Sequence, residues 1–364
     1  MPTIGLAMIV KDEARVITRA LNSVRPLIDF ALICDTGSTD GTQEIVRDWL
    51  RRNEVSGTVI EEPWQNFGYN RSFVLAKLHD IDVDYAFSLD ADETITITED
   101  VEAIKQRLTT DCYHVPIRLG STAYALPRIT SNRLPFYYRG PAHEWPDCKT
   151  KFSKDNLAGL LITEVGGGAR EKDPNTYRHD AKLLEQELTR TDLDPLELTR
   201  YTFYLAQSYR DCGELQLALE SYQNRIALGG WHEEIYVSLL NMARLQERLK
   251  HPFHEIIATY KRAIALNPKR AEAIHGATKA LRLAGFCHEG YVTAEDGLKL
   301  PLHKGLFVET WIYDWGLLDE FSICAYYAGQ RTVSLLAMQL LLCKDNLDDV
   351  HRKRITTNAA FALR

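Results

Sequence analysis

Residues 88–93 read Ser-Leu-Asp-Ala-Asp-Glu and put three carboxylates within four positions, directly after the stretch "DYAF". At the end of a buried strand such a cluster is costly for stability alone, because like charges repel and lose solvent together. It suits a divalent cation, which takes carboxylate oxygens and shares the rest of its shell with phosphate and water. Comparable groups follow three earlier apolar runs: Lys11, Asp12 and Glu13 after "TIGLAMIV", Asp35 after "FALIC", and Glu61 and Glu62 after "GTVI". If the four strands are neighbours, their acids crowd one edge, and a cation holding a diphosphate offsets the repulsion. Asp40, inside "STDGT", reads as a turn and helix cap, and Glu93 as a cap of the next element.

The elements that must carry these groups are legible nearby. "TIGLAMIV" (3–10), "FALICD" (30–35), "GTVIEEP" (57–63) and "DYAFSLDAD" read as strands. Between them, Val16, Ile17, Ala20, Leu21 and Val24 recur at helical spacing before Pro26, as do Ile45, Val46, Trp49 and Leu50, and "GYNRSFVLAKLHD" reads as a third helix. Repeated strand–helix–strand units imply parallel pairing in an α/β sheet, with ligands bound outside the carboxyl ends of the strands. Residues 101–175 read as further strands of a mixed sheet, an Arg- and aromatic-rich segment "NRLPFYYRGPAHEWPDCKT", and a flexible loop "VGGGARE" (165–171).

From about residue 176 the pattern becomes all helical. Tyr222, Tyr260 and Ala294 recur at intervals of 38 and 34 residues, close to the tetratricopeptide period of about 34, with small residues where helices cross. A further helix pair is expected over 319–345, capping the array. The expected domains are therefore 1–175, an α/β mixed-sheet domain, and 176–364, an all-α repeat domain.

The chain has 364 residues, a net charge of −7 and a pI near 5.9. That balance argues against non-specific nucleic-acid binding, which draws on a basic surface. Seven dispersed cysteines without a CxxC pair argue against a disulfide framework or a structural zinc. No apolar run is long enough for a transmembrane segment or a signal peptide, so a cytoplasmic protein is expected.

The segments "MIVKDEARVITRALNSV", "CDTGSTDGTQEIV", "NFGYNRSFVLA" and "SLDADE" together resemble family-2 glycosyltransferases of the GT-A fold. With the repeat region behind them, nearly the whole chain resembles bacterial glycosyltransferase–tetratricopeptide fusions. The resemblance implies a sugar transfer, with inversion, from a nucleotide sugar, UDP first. It makes Asp90, Ala91 and Asp92 the DxD motif, with Asp90 and Asp92 on a manganese or magnesium ion that bridges the donor diphosphate. Ile9, Val10, Lys11 and Glu13 would line the nucleotide cleft, Asp35 would contact base or ribose, and Asn70 and Arg71 would lie near the donor. In "RGPAHEW", Glu144 is the expected base; His143 is a further metal or phosphate contact, or the base itself. Arg128, Arg133 and Arg139 are candidates for diphosphate or acceptor contacts, and Trp145 for an acceptor contact. The motif Lys-Asp-Glu departs from the family, where Asn more often precedes the Glu.

Stacked helix pairs offer a concave surface for a peptide, protein or glycan acceptor, and for pairing two copies of the chain. The rival reading is a repeat-based protein-binding scaffold carrying a retired transferase domain; the joint presence of Asp35, Asp90, Asp92 and Glu144 favours the enzyme. A nucleotidyltransferase would more typically carry a glycine-rich basic loop near the N-terminus, and "MIVKDEARV" has no such glycines.

Overall fold

The computed structural model describes residues 1–120 and 122–363, and it divides into two compact units, Met1–Cys212 and Gly213–Arg364. The first unit opens with β1 (Ile4–Val10), α1 (Ile17–Val24), β2 (Phe30–Asp35), α2 (Thr42–Arg52), β3 (Ser56–Glu61), α3 (Phe67–His79) and β4 (Tyr85–Ser88). It continues with β5 (Glu93–Ile97), α4 (Val101–Gln106), β6 (Cys112–Leu119) and β7 (Thr122–Ser131). A hairpin of β8 (Tyr137–Arg139) and β9 (Trp145–Asp147) is followed by β10 (Lys154–Asn156), β11 (Leu160–Glu164), α5 (Thr176–Glu187) and α6 (Pro195–Asp211).

The main sheet of this unit runs β3-β2-β1-β4-β7-β6-β11-β5, with β10 added beside β6. β1, β2, β3 and β4 are parallel, whereas β4–β7, β6–β7 and β11–β5 are antiparallel. β1 explains the layering. Its side chains alternate across the sheet: Leu6, Met8 and Val10 join the core beneath α1 and α2, while Ala7 and Ile9 face Val74, Leu75 and Leu78 of α3. A strand covered on both faces must be apolar throughout, as "IGLAMIV" is. The parallel neighbours β2, β1 and β4 put Asp35, Glu13, Asp90 and Asp92 at their carboxyl ends on one edge of the sheet.

The helical sequence pattern begins where α5 does, at Thr176, but the compact helical unit begins only at Gly213. α5 and α6 belong to the first unit because α6 is pinned to the β8–β9 hairpin. Arg139 pairs with Asp194 and with Glu197 at 3.0 Å, and Tyr201 packs on Trp145.

The second unit comprises α7 (Leu215–Ala227), α8 (His232–Arg248), α9 (Phe253–Leu266), α10 (Ala271–Leu283), α11 (Cys287–Gly297), a π-helical turn (Ile312–Gly316), α12 (Leu317–Tyr327), α13 (Arg331–Leu342) and α14 (Asp349–Ala362). Each helix packs against the next, as in a repeat array. Tyr222, Tyr260 and Ala294 are buried on α7, α9 and α11, every second helix of the array. Gly276 shows why small residues recur: a Cβ there would lie 2.4 Å from the Tyr260 ring. The pair expected over 319–345 is α12 and α13, but the array continues into α14. Among the described residues, no helix is long and apolar enough to cross a membrane.

Candidate active site

The loops after β1 and β2 are laced together. Ser38 Oγ accepts from the Asp12 backbone N–H and Thr42 Oγ1 from that of Glu13, both at 2.8 Å. Asp40 accepts from the Ala14 N–H at 3.0 Å and from the Thr42 N–H and hydroxyl. Asp12 accepts in return from the Thr39 N–H at 2.8 Å, which holds Asp12 in a left-handed backbone (φ 56°). Asp40 is thus a stitch between two loops and not the α2 cap, which falls at Gly41 without a side-chain bond. Asp35 is 1% exposed. Its Oδ1 accepts from the N–H groups of Gly37 and Ser38, and its Oδ2 has no partner.

Across the edge, Asp90 meets two arginines. Arg71 donates to Asp90 Oδ1 at 2.5 Å and, through Nε, to Glu144 Oε1 at 2.5 Å. Arg128 lies 3.6 Å from Asp90 Oδ2 and donates to Glu93 Oε1 at 2.5 Å. Burial pushes the Asp90 carboxyl up, but the two guanidinium groups, Arg71 first, outweigh it and bring it down to about 2. Glu93 does not cap a helix. It is buried at the start of β5, where it accepts from Arg128 and from the Asp90 N–H at 2.9 Å.

Asp92 and Glu13 form a second acidic pair. Glu13 Oε2 lies 3.3 Å, and Asp92 Oδ2 3.2 Å, from the point where Gly168 would carry a Cβ. Burial first, and then neighbouring carboxylates, raise both groups, Glu13 to about 7. The "VGGGARE" loop is tethered here: Ala169 N–H donates to Glu13, Val165 N–H to the Asp92 carbonyl, and Arg19 to the Gly166 carbonyl.

Glu144 and His143 ride on the β8–β9 turn, which is docked on α3. Phe67 N–H donates to the Pro141 carbonyl, Tyr138 N–H donates to Ser72 Oγ, and a Cβ on Gly68 would lie 2.1 Å from the Gly140 carbonyl oxygen. His143 takes a left-handed backbone (φ 52°), and its ring stacks on Tyr204 at 4.1 Å. Desolvation by the protein around the ring, and then Arg200 and Arg170, push the imidazole down.

The structure therefore gathers Glu13, Asp35, Asp90, Asp92, Arg71 and Arg128 at one edge, with Glu144 joined through Arg71. It does not gather the expected metal trio. Among the described residues no three His, Cys, Asp or Glu side chains are placed to hold a metal; Asp90 is taken by arginines and His143 by Tyr204. Asn70 is fully buried and braces the preceding loop, donating to the Pro63 carbonyl and accepting from the Gln65 N–H. Val10 and Ala91 are buried in the core, Ile9 packs on the α3 side, and Lys11 is exposed at the edge. Arg133 pairs with Asp84 at 2.7 Å, and Arg139 holds α6. Trp145 is flanked by Arg139 and Arg200 at 5.4 and 4.6 Å. Sequence reasoning missed Arg200, Tyr204 and Arg170, which reach the site from the helices and the loop before them; nothing in their spacing marks them.

Residues 6–156 match the family model described as Glycosyl transferase family 2. A TPR repeat-containing protein of Synechococcus elongatus is 29% identical over 154 residues, covering 40% of this chain and 36% of that protein. An uncharacterized glycosyltransferase of Rickettsia felis is 30% identical over 106 residues, covering 29% of this chain and 34% of that protein. The chain thus spans about a third of the length of the curated relatives it matches. Among solved structures, S. aureus TarS 1-349 in complex with UDP-GlcNAc aligns at 16% identity over 78% of this chain and 92% of that one, with a TM-score of 0.37. MamA aligns at 14% identity over 47% of this chain and 90% of that one, with a TM-score of 0.39. Residues 6–156, within the mixed-sheet first unit, thus match the family-2 glycosyltransferase model, and an all-helical unit follows.

Proposed function

We propose that the chain transfers a sugar, with inversion, from a nucleotide sugar to an acceptor hydroxyl or equivalent group. The reading rests on one arrangement above all: Arg71 spans Asp90 of the acidic triplet and Glu144 of the hairpin turn, so donor-side and acceptor-side acids share one buried cation. Asp35 brings a buried oxygen, Oδ2, with no protein partner. A ribose hydroxyl or base N–H of UDP satisfies it, and an unpaired buried acceptor is otherwise costly.

A divalent ion, Mn²⁺ or Mg²⁺, suits Asp92, whose carboxyl sits beside Glu13 where burial and like charge already disfavour ionisation. Such ions rely on one or two carboxylates and take phosphate oxygens for the rest of the shell. When bound, the ion neutralises charge on the departing nucleoside diphosphate. Arg71 and Arg128, which face Asp90, are the groups that turn toward the diphosphate oxygens. Glu144, aimed by Arg71, takes the acceptor proton as the acceptor attacks opposite the leaving group. Neutral His143 beside it is the second candidate for that proton. The acceptor is a peptide, protein or glycan, with the helical repeats contributing to its capture.

The test is the thermal midpoint of the protein with UDP, GDP and dTDP and their sugars, in manganese and in chelator. A ligand that binds only the native state raises the midpoint by mass action. A manganese-dependent rise with one nucleotide, lost in Asp92→Asn, is expected; no rise with any of them overturns the reading.

A further inference from the structure

The helical unit contains a recess that the transferase reading does not use. It has a volume of about 600 Å³ and opens between α10, the π-helical turn, α12 and α14. That volume is within the usual range for small-molecule sites, about 300–1,000 Å³. Its walls are aromatic. Trp311 and Trp315 lie 5.1 Å apart, the edge of His275 meets Trp311 at 5.1 Å, and His351 lies 4.6 Å from Trp315.

Trp311 and Trp315 are four residues apart, a helical spacing that puts both indoles on one face. Trp311 precedes the π-helical turn and Trp315 lies inside it. Single π turns inserted among α-helices occur often at functional sites. Gly316 makes room: a Cβ there would lie 2.4 Å from the Trp311 ring.

Two ion pairs cross the polar lining. Arg282 donates to both oxygens of Glu320, at 2.6 and 3.1 Å. Arg354 donates to Asp319 Oδ2 at 2.7 Å, and Asp319 Oδ1 has no partner although the residue is only 7% exposed. A buried carboxylate oxygen without a donor is costly and calls for one from outside. Arg282 and Arg354 are each matched by a carboxylate, Glu320 and Asp319, and the further cation, Lys279, is exposed, so the inner lining carries no net charge. What fits is a neutral molecule with a flat apolar face for an indole and an edge of hydroxyl donors for a carboxylate. A pyranose has both.

We infer that this recess binds a neutral carbohydrate of one or two sugar units, stacked on Trp315 and Trp311 and donating a hydroxyl to Asp319. The inference stands on the recess and not on the transferase reading. If both hold, the recess retains part of a glycan acceptor.

The test titrates the full chain with glucose, N-acetylglucosamine, lactose and chitobiose, reading tryptophan fluorescence and saturation-transfer NMR. A saturable response in the millimolar range is expected for at least one saccharide. Trp315→Ala and Asp319→Asn should each weaken it at least tenfold, about 1.4 kcal/mol, and leave any manganese-dependent nucleotide shift unchanged. If Trp315→Ala fails to fold, Asp319→Asn decides. No saturable response to any of the saccharides, an equal response in the folded variants, or a response to inorganic phosphate in their place overturns the inference. Failure of the transferase reading would show separately, as a missing nucleotide shift in a chain that still binds sugar.

Discussion

Replacing Arg71 with methionine keeps the stem of the side chain and removes its charge. The Arg71 side chain is 10% exposed, as is that of Glu144, while Asp90 keeps 31% of its side chain open. Breaking a fully buried pair by removing one partner costs about 3–5 kcal/mol. The opening at Asp90 and the second arginine reduce that. A lowering of Asp90 from 3.8 to about 2 corresponds to roughly 2 kcal/mol at neutral pH, shared between Arg71 and Arg128. The contact distances, 2.5 against 3.6 Å, give Arg71 the larger part. That contribution is complete above about pH 4 and is lost as pH falls through about 2, the sign for a depressed carboxylate. Arg71→Met should therefore destabilise the first unit by about 2–3 kcal/mol, a fall in midpoint of roughly 4–12 °C at this size. Chemical denaturation at pH 7 measures it. In a background of Asp90→Asn and Glu144→Gln, the same change should cost less than about 1 kcal/mol, since the stranded charges are gone. Additive costs across that cycle, within about 0.5 kcal/mol, would refute the idea that one guanidinium bridges both acids.

Three further outcomes are expected. Glu144→Gln should keep manganese-dependent nucleotide binding and lose transfer by at least about a hundredfold; unchanged turnover in a sugar-transfer assay would move the base to His143. Gly68→Ala should push the hairpin turn off α3, because its Cβ would meet the Gly140 carbonyl oxygen at 2.1 Å. Transfer should then fall by about a hundredfold for a displacement near 1 Å, with nucleotide binding retained; normal kcat in that variant would show that the turn need not be held there. Burial brings His275 down to about 4 against the pull of Glu320, with Arg244, Lys279 and Arg282 adding to the lowering. The helical unit should lose stability as pH drops from about 6.5 toward 4, by up to about 3 kcal/mol, and His275→Gln should flatten that slope in urea titrations.

The strand ends were legible because apolar runs bounded by acids have few other uses. Asp35, Asp90, Asp92 and Glu13 do lie at neighbouring carboxyl ends. The repeat spacing was legible because helix crossings demand small or buried aromatic side chains at fixed intervals, and Tyr222, Tyr260 and Ala294 meet that demand. What could not be read is who pairs with whom across long separations. Arg71 was placed near a donor, but its reach to Glu144, 73 residues away, depends on how the hairpin docks. Asn70, its neighbour, faces inward to brace a loop, and helical phase over so short a stretch does not reveal that. Nor does helical periodicity say which body a helix packs on, so α5 and α6 read as repeat helices until Arg139 and Trp145 are seen against α6.

The stitching of Asp12, Ser38, Asp40 and Thr42 has a consequence for anyone who would re-engineer the nucleotide edge. Each loop supplies the hydrogen-bond partners that the other needs, so neither is a free-standing cassette. A graft of residues 11–14 alone, or of 36–42 alone, from a relative would leave backbone N–H groups without acceptors on both sides of the seam. The two segments form one transplantable module despite the 21 residues between them, and combinatorial libraries should vary them together.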